Sequence, residues 1–99
     1  MALKIVWTPQ ALKGLKRVLQ YLDAEWSKKE ILNLEVKLYA VLDQISKQPQ
    51  LFPKTGNFKN IHKAVIDKNN YIIYRNNNSK RKIEIINFRG TKQKPLKGY

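Results

Sequence analysis

Two apolar stripes at helical spacing, parted by one serine, constrain this chain more than any other feature. Leu12, Leu15, Leu19, Leu22 and Trp26 recur at intervals of three and four residues, and Ile31, Leu34, Leu38, Val41, Leu42 and Ile45 repeat the pattern. Each set lines one side of a helix. Thr8 suits an N-cap and Pro9 the first helical position, while Ser27 with Glu30 three residues later forms a capping box. Gln48-Pro49 ends the second helix, because the residue before a proline resists the α conformation. With Ser27 as the hinge, the helices form a short-loop αα-hairpin.

A hairpin of two amphipathic helices needs a partner layer, and the flanking sequence supplies one. Leu3 to Trp7 is a short β-prone run with Leu3, Ile5 and Trp7 on one face. Residues 49–59 shift to Pro, Gly, Asn and Phe and read as a loop, with Leu51 and Phe52 as its anchors to the core. Three strands follow: Ile61 to Asp67, Tyr71 to Arg75 and Lys82 to Arg89, separated by the turn signals Asn69-Asn70 and Asn76-Asn77-Asn78-Ser79. Adjacent hairpins give an antiparallel sheet. The expected fold class is α+β in the order β-α-α-β-β-β, with the hairpin packed on one face of the sheet in two layers. One domain spans 1–99, with 90–99 expected as a loosely ordered tail. Trp7 and Trp26 read as core.

Charge separates the two halves. Residues 1–50 carry 8 basic and 5 acidic groups, whereas residues 51–99 carry 12 and 2, of a net +13 overall. The positive field therefore sits on the sheet and its loops, where it attracts phosphate backbones or an acidic protein. There is no cysteine and one histidine, which excludes disulfides, thiolate metal sites and a multi-histidine site. Asp67 and Glu84 are the carboxylates after residue 50, too few for a two-metal nuclease, and the glycines are isolated rather than gathered in a phosphate loop. No metal and no cofactor are expected. The absence of cysteine, of a signal-peptide core and of a membrane span points to a cytoplasmic protein.

Several short motifs, in order, give a resemblance. Trp7-Thr8-Pro9-x-Ala11, Tyr21-Leu22 and Trp26-Ser27 are similar to the start of ParE/RelE-superfamily toxins. Gln48-Pro49-x-Leu51-Phe52-Pro53 resembles the loop after their helices. His62-Lys63-x-Val65-Ile66 stands where a basic pair often opens a strand, Tyr71-Ile72-Ile73-Tyr74-Arg75 resembles their central strand, and Arg89 with Gln93-x-Pro95 resembles their closing motif. The resemblance implies a toxin of a type II toxin–antitoxin pair, silenced by an antitoxin whose C-terminal segment folds across it, in a possible hetero-oligomer. RelE-like members cleave mRNA on the ribosome; ParE-like members poison DNA gyrase by binding. The RelE-like set has two lysines alternating on the strand opened here by His62, matched by His62 and Ala64. It has an arginine where this chain has Tyr71, an arginine matched loosely by Arg89 or Lys92, and a closing helix with a tyrosine, where this chain stops at Tyr99. These departures favour the ParE-like mode, with plasmid stabilization by growth inhibition as its expected role.

The residues themselves leave three readings open. A ParE-like toxin binds gyrase and is not an enzyme. A RelE-type toxin is a metal-independent endoribonuclease, and cleavage by 2′-OH attack asks for an acid, a base and cations. His62, Arg75 and Arg89 are then the catalytic candidates. The third reading is a passive nucleic-acid-binding module. Binding candidates are Lys63, Tyr71, Tyr74, Lys80, Arg81, Lys82, Lys92 and Lys94. Plainer roles compete: a surface or strand-edge imidazole for His62, an ion pair with Glu84 or the C-terminal carboxylate for Arg89, structural support or an antitoxin contact for Arg75, packing for the tyrosines, and protection of a sheet edge for Lys80-Arg81-Lys82. Strand alternation puts His62 with Ala64 and Ile66, Arg75 with Tyr71 and Ile73, and Arg89 with Asn87, Ile85 and Ile83.

Overall fold

The computed structural model describes residues 3–25, 28–56 and 60–90, the side chains of 22–25 apart. The expectations placed on Leu22, Trp26, the Ser27 cap and the tail beyond Gly90, with Lys92 and Lys94, lie outside the described residues. The chain runs β1 (Lys4–Trp7), α1 (Pro9–Glu25), α2 (Lys28–Lys47), β2 (Ile61–Asp67), β3 (Asn70–Asn77) and β4 (Lys82–Gly90). This is the expected α+β order, and the helix and strand bounds lie within three residues of those read from the sequence.

The sheet differs in one respect. Its spatial order is β1-β4-β3-β2, with β2–β3 and β3–β4 antiparallel and β1 parallel to β4. It is therefore mixed rather than wholly antiparallel. The helical connection between β1 and the meander sends β1 to the far edge, beside the last strand, where its direction matches that of β4.

Both helices pack on one sheet face. Leu34, Leu38, Val41, Leu42 and Ile45 of α2 and Ala11 and Val18 of α1 are buried against Ala64, Ile66, Ile72, Tyr74, Ile83, Ile85 and Phe88. The α2 stripe is the one its spacing predicts, with Ile31 only half-buried at the helix start. The α1 stripe is rotated. Leu12 is half exposed, whereas Ala11, Gly14 and Val18 face the sheet. The reason is contact distance: a Cβ on Gly14 would collide with the carbonyl oxygen of Phe88. The helix sits so close to β4 that its smallest residues must meet the strand, and its leucines turn toward α2.

Thr8 fixes where α1 begins. Its Oγ1 accepts a hydrogen bond from the amide of Ala11 (3.2 Å), as the N-cap reading expects. The same hydroxyl donates to the carbonyls of Ile85 (2.8 Å) and Ile86 (3.1 Å), and the Thr8 amide donates to Ile85. A β-bulge lies at this point, between the pairs Ile73–Asn87 and Tyr74–Ile85.

The loop after α2 runs along the β2 edge. Lys63 N–H donates to Pro53 O and Thr55 N–H to Ile61 O, each at 3.0 Å, so the edge of β2 is partly covered. Phe52 packs on the core as expected, but Leu51 is half exposed and does not share in that packing.

Glycine at an interior helix position ordinarily costs about 1 kcal/mol relative to alanine. At position 14 the sign reverses: Gly14→Ala is expected to lower the unfolding free energy by about 2–4 kcal/mol, because backbone must move to admit the methyl. Urea unfolding followed by circular dichroism measures it, and a stabilised variant would contradict the close approach of α1 to β4.

Candidate nucleic-acid interface

The sheet face away from the helices is assembled by cross-strand register. Residues paired across neighbouring strands share a face. The pairs Lys63–Ile73, Val65–Tyr71 and Ile61–Arg75 join β2 to β3; Tyr71–Arg89, Ile73–Asn87, Arg75–Glu84 and Asn77–Lys82 join β3 to β4; Lys4–Lys82 and Val6–Glu84 join β1 to β4. The centre of this face is a small buried cluster of Ile61, Tyr71 and Ile73, with Ile86 packed beside it. Around that centre stand Lys4, Lys63, Arg75, Lys82 and Arg89. Glu84 is the carboxylate among them, held by Arg75 and Lys82 at 3.8 Å and by the Asn77 amide at 3.3 Å. Such half-exposed pairs add little stability, but they orient the Arg75 guanidinium across the face.

Tyr71 is the aromatic residue of this face and is itself buried, 8% exposed. The Lys63 ammonium lies 4.4 Å from the centre of its ring, a cation–π contact. The cations around this buried centre, Lys4, Lys63 and Arg75 exposed and Lys82 and Arg89 half-buried, suit a phosphate backbone. Lys80 and Arg81 are exposed at the β3–β4 turn, where Arg81 takes a left-handed backbone conformation (φ 53°). They extend the positive rim rather than contribute to its centre.

His62 is not part of this site. It pairs with Tyr74 on the helix-facing side and is 1% exposed. Its Nδ1 bonds the Phe52 carbonyl at 2.8 Å, and its ring stacks on Tyr74 with centroids 5.0 Å apart. The carbonyl can only accept, so Nδ1 carries the proton and Nε2 has no partner among the described residues. Both the catalytic reading and the surface or strand-edge reading of His62 are corrected: it is a core histidine, and no substrate reaches it. Ala64, two pairs further along, shares that buried face.

Tyr74 is corrected likewise. It is fully buried, its ring meets Phe52 edge-on at 6.5 Å, and its hydroxyl donates to the Pro49 carbonyl at 2.8 Å. Burial pushes its pKa up to about 12, with a backbone hydrogen bond at Phe52 offsetting part of the rise. It holds the loop after α2 and stacks no base. Arg75 stands where alternation put it, exposed beside Ile61. Arg89 does not: the bulge at Ile86 reverses the alternation, so Arg89 and Asn87 leave the face of Ile83 and Ile85 and join Tyr71 and Ile73. Glu84, offered as a partner of Arg89, is paired with Arg75 and Lys82 instead.

Asn87 is the residue that sequence reasoning missed. It is 3% exposed, and its amide nitrogen has no hydrogen-bond partner among the described residues. A dehydrated, unpaired donor is costly, and here it lies between Ile73 and the cationic rim. Strict alternation assigned it to the buried face, and only the bulge brings it out. Among the described residues no three acidic or histidine side chains gather as a metal site, and no helix is long and apolar enough to cross a membrane.

No family model matches the sequence, and no curated protein matches it. Solved structures do match the fold. A chain of the E. coli DinJ–YafQ toxin–antitoxin complex is similar with a TM-score of 0.62 at 12% identity, over 91% of this chain and 93% of that one. The YoeB dimer from Staphylococcus aureus is similar with a TM-score of 0.61 at 17% identity, over 90% and 97%. The two-layer fold implied by the sequence motifs is therefore the fold observed.

Two tests separate the core from the face. His62→Ala is expected to cost about 2–4 kcal/mol of stability and to leave RNA affinity of the folded protein unchanged. Lys63→Ala is expected to change stability by no more than about 1 kcal/mol, yet to weaken binding of a short single-stranded RNA and lower its salt slope by about 1. Denaturant unfolding and a binding titration across salt concentrations read both. Tyr74 gives the pH test. Its folded pKa lies above the unfolded 10, so its contribution is complete below pH 10 and is lost as pH rises from 10 toward about 12. Tyr74→Phe should flatten that part of the stability profile, as unfolding at fixed pH values would show.

Proposed function

We propose that this chain is the toxin of a type II toxin–antitoxin pair, acting as a RelE-type endonuclease on ribosome-bound mRNA and silenced by a cognate antitoxin. The observation that carries the reading is this sheet face, where Lys63 and Arg89 flank Tyr71 and Arg75 stands further along β3, in a fold shared with YafQ-complex and YoeB structures. Cleavage proceeds by attack of the 2′-oxygen on phosphorus. The bond to the 5′-oxygen breaks, leaving a 2′,3′-cyclic phosphate and a 5′-hydroxyl end. Negative charge accumulates on the phosphorane, and fixed guanidinium and ammonium groups stabilise it without rearranging at the moment of reaction. Arg75 and Arg89 are the phosphate clamps of this reading. Lys63 protonates the leaving 5′-oxygen, and the 2′-OH proton passes to water.

Beside the departures at Tyr71, at Arg89 or Lys92 and at the closing helix, the ParE-like, gyrase-binding alternative drew weight from His62 and Ala64. Both side chains face the helices, so their identity has no bearing on the open face, where Lys63 supplies a lysine. The structural neighbours, toxins of RelE and YoeB type, weigh in the same direction. An antitoxin would reach the strongly positive face quickly through a mixed-charge or acidic segment that folds on binding. The ribosome as target fits a cytoplasmic location.

A translating extract tests the reading. The purified chain is expected to cut mRNA within translated regions, and Lys63→Ala with Arg89→Ala to slow cleavage by about 100-fold or more while the protein remains folded. Intact mRNA with accumulating gyrase cleavage complexes would return the gyrase reading to first place. Intact mRNA, undisturbed gyrase and normal growth on expression would leave a passive nucleic-acid binder.

A further inference from the structure

The helix layer has a second apolar stripe that the fold does not use. On α2, Leu34, Leu38, Val41, Leu42 and Ile45 already fill the core-facing side. Leu32, Val36 and Tyr39 recur at spacings of four and three on the outer side and are 60%, 69% and 68% exposed. Exposed Ala40 lies beside them and permits close approach. Scattered surface hydrophobics need no explanation, but three on one helical line form a seam.

The charges at the ends of this seam identify its occupant. Lys29 lies two helical turns before Val36, and Asp43 lies two turns after it, on the same side of the helix. The two charges are equidistant from Val36 and opposite in sign. An antiparallel copy of the same helix, related by a twofold axis at Val36, sets Lys29 against the partner's Asp43 and Asp43 against the partner's Lys29. Within one chain Asp43 meets Lys47 at 3.1 Å, an exposed pair that costs little to share or exchange. The flanking Glu35 and Lys37 are related by the same axis. We propose that the outer face of α2 is a self-complementary surface that pairs with a second copy of this chain. A twofold interface requires this kind of reciprocal match.

The net charge of +13 does not prevent the pairing, because it is carried elsewhere. α2 holds four basic residues (Lys28, Lys29, Lys37, Lys47) and three acidic ones (Glu30, Glu35, Asp43). The cationic rim lies on the far side of the sheet, so a pair joined through α2 turns both basic faces outward. Two helix layers and both sheets then separate them, roughly 30 Å at about 10 Å per layer, several Debye lengths at physiological salt. The contact is small, below the roughly 1,200 Å² of tight complexes, so a dimer of micromolar affinity is expected. The inference is independent of the nuclease reading.

Sedimentation equilibrium of the full chain from about 1 to 500 μM tests it, a range that brackets the dissociation constants of a contact this small. The wild type should pass from monomer to dimer. Val36→Glu, which places two carboxylates at the axis, should remain monomeric throughout. Lys29→Glu and Asp43→Lys should each weaken the dimer about tenfold, since each reversal is felt twice across the axis, and the double exchange should restore it to within about threefold. Both reversals suit the helix dipole at their positions, so the variants should fold, and circular dichroism checks this. A wild type that stays monomeric, a dimer indifferent to Val36→Glu, or a double exchange as weak as the singles would each overturn the proposal.

Discussion

The contact between Thr8 and the bulge in β4 decides which residues the two sheet faces present. A regular strand would carry the parity of Ile83 and Ile85 on to Asn87 and Arg89, burying an amide and a guanidinium beneath α1. The extra residue at Ile86 breaks that parity. Phe88 turns inward, where it stacks with Trp7 at 6.5 Å, and Asn87 and Arg89 turn outward. A bulge frees carbonyl groups from the ladder, and these need partners. Thr8 supplies a hydroxyl to the carbonyls of Ile85 and Ile86 while still capping α1. One short side chain therefore ties the start of the helical layer to the point where the sheet changes face. Gly14, in the second turn of α1, is necessary because that tie holds the helix close to β4.

A second arrangement, at the opposite edge, keeps polar groups out of the site. Tyr74 lies between His62 and Phe52, and its hydroxyl and the His62 Nδ1 are spent on the carbonyls of Pro49 and Phe52. Those carbonyls belong to a loop that cannot satisfy them by regular pairing. The tyrosine and histidine thus do for the loop what a ladder does for a strand, and they are unavailable for chemistry. A lone histidine beside lysine in a basic chain looks catalytic; here its neighbour Lys63, of opposite parity, is the one that meets solvent.

The division between what the sequence makes legible and what it hides follows the range of the forces involved. Helix and strand bounds rest on local signals: Thr8-Pro9, Gln48-Pro49, Asn-rich turns and apolar periodicity. These place the bounds within three residues. The α2 core stripe is legible for the same reason. The α1 stripe is not, because its rotation is set by how near the helix approaches Phe88, a distance no local pattern encodes. The parallel placement of β1 is likewise hidden, since neighbouring strands leave no mark on one another's sequence at that separation. At the site, Lys63, Tyr71 and Arg75 follow from simple alternation. Arg89 and Asn87 do not, because one unpaired residue at Ile86 inverts the count, and nothing in Ile85-Ile86-Asn87 announces it. His62 misleads for a different reason: alternation gives its parity correctly, but a polar residue on an apolar face looks like a ligand when it is the partner of a loop carbonyl.

These placements give the molecule two unlike surfaces. The sheet side gathers positive charge from distant parts of the chain, Lys4 from the first strand and Arg89 from the last, and the register between β1 and β4 sets Lys4 beside Lys82. Glu84 offsets part of the repulsion between like charges so placed, and a ligand or counterions relieve the rest. The helix side is nearly neutral along α2 and carries its excess apolar area there. A polyanion gains most on the first surface and nothing on the second, whereas apolar association gains on the second and is opposed on the first. The fold therefore separates two kinds of binding by the thickness of its own core, so that occupation of one surface need not obstruct the other. What couples them is α1, whose cap touches the β4 bulge and whose leucines border α2. A disturbance at Thr8 would release the bulge and the helix start together, and would therefore be felt on both sides.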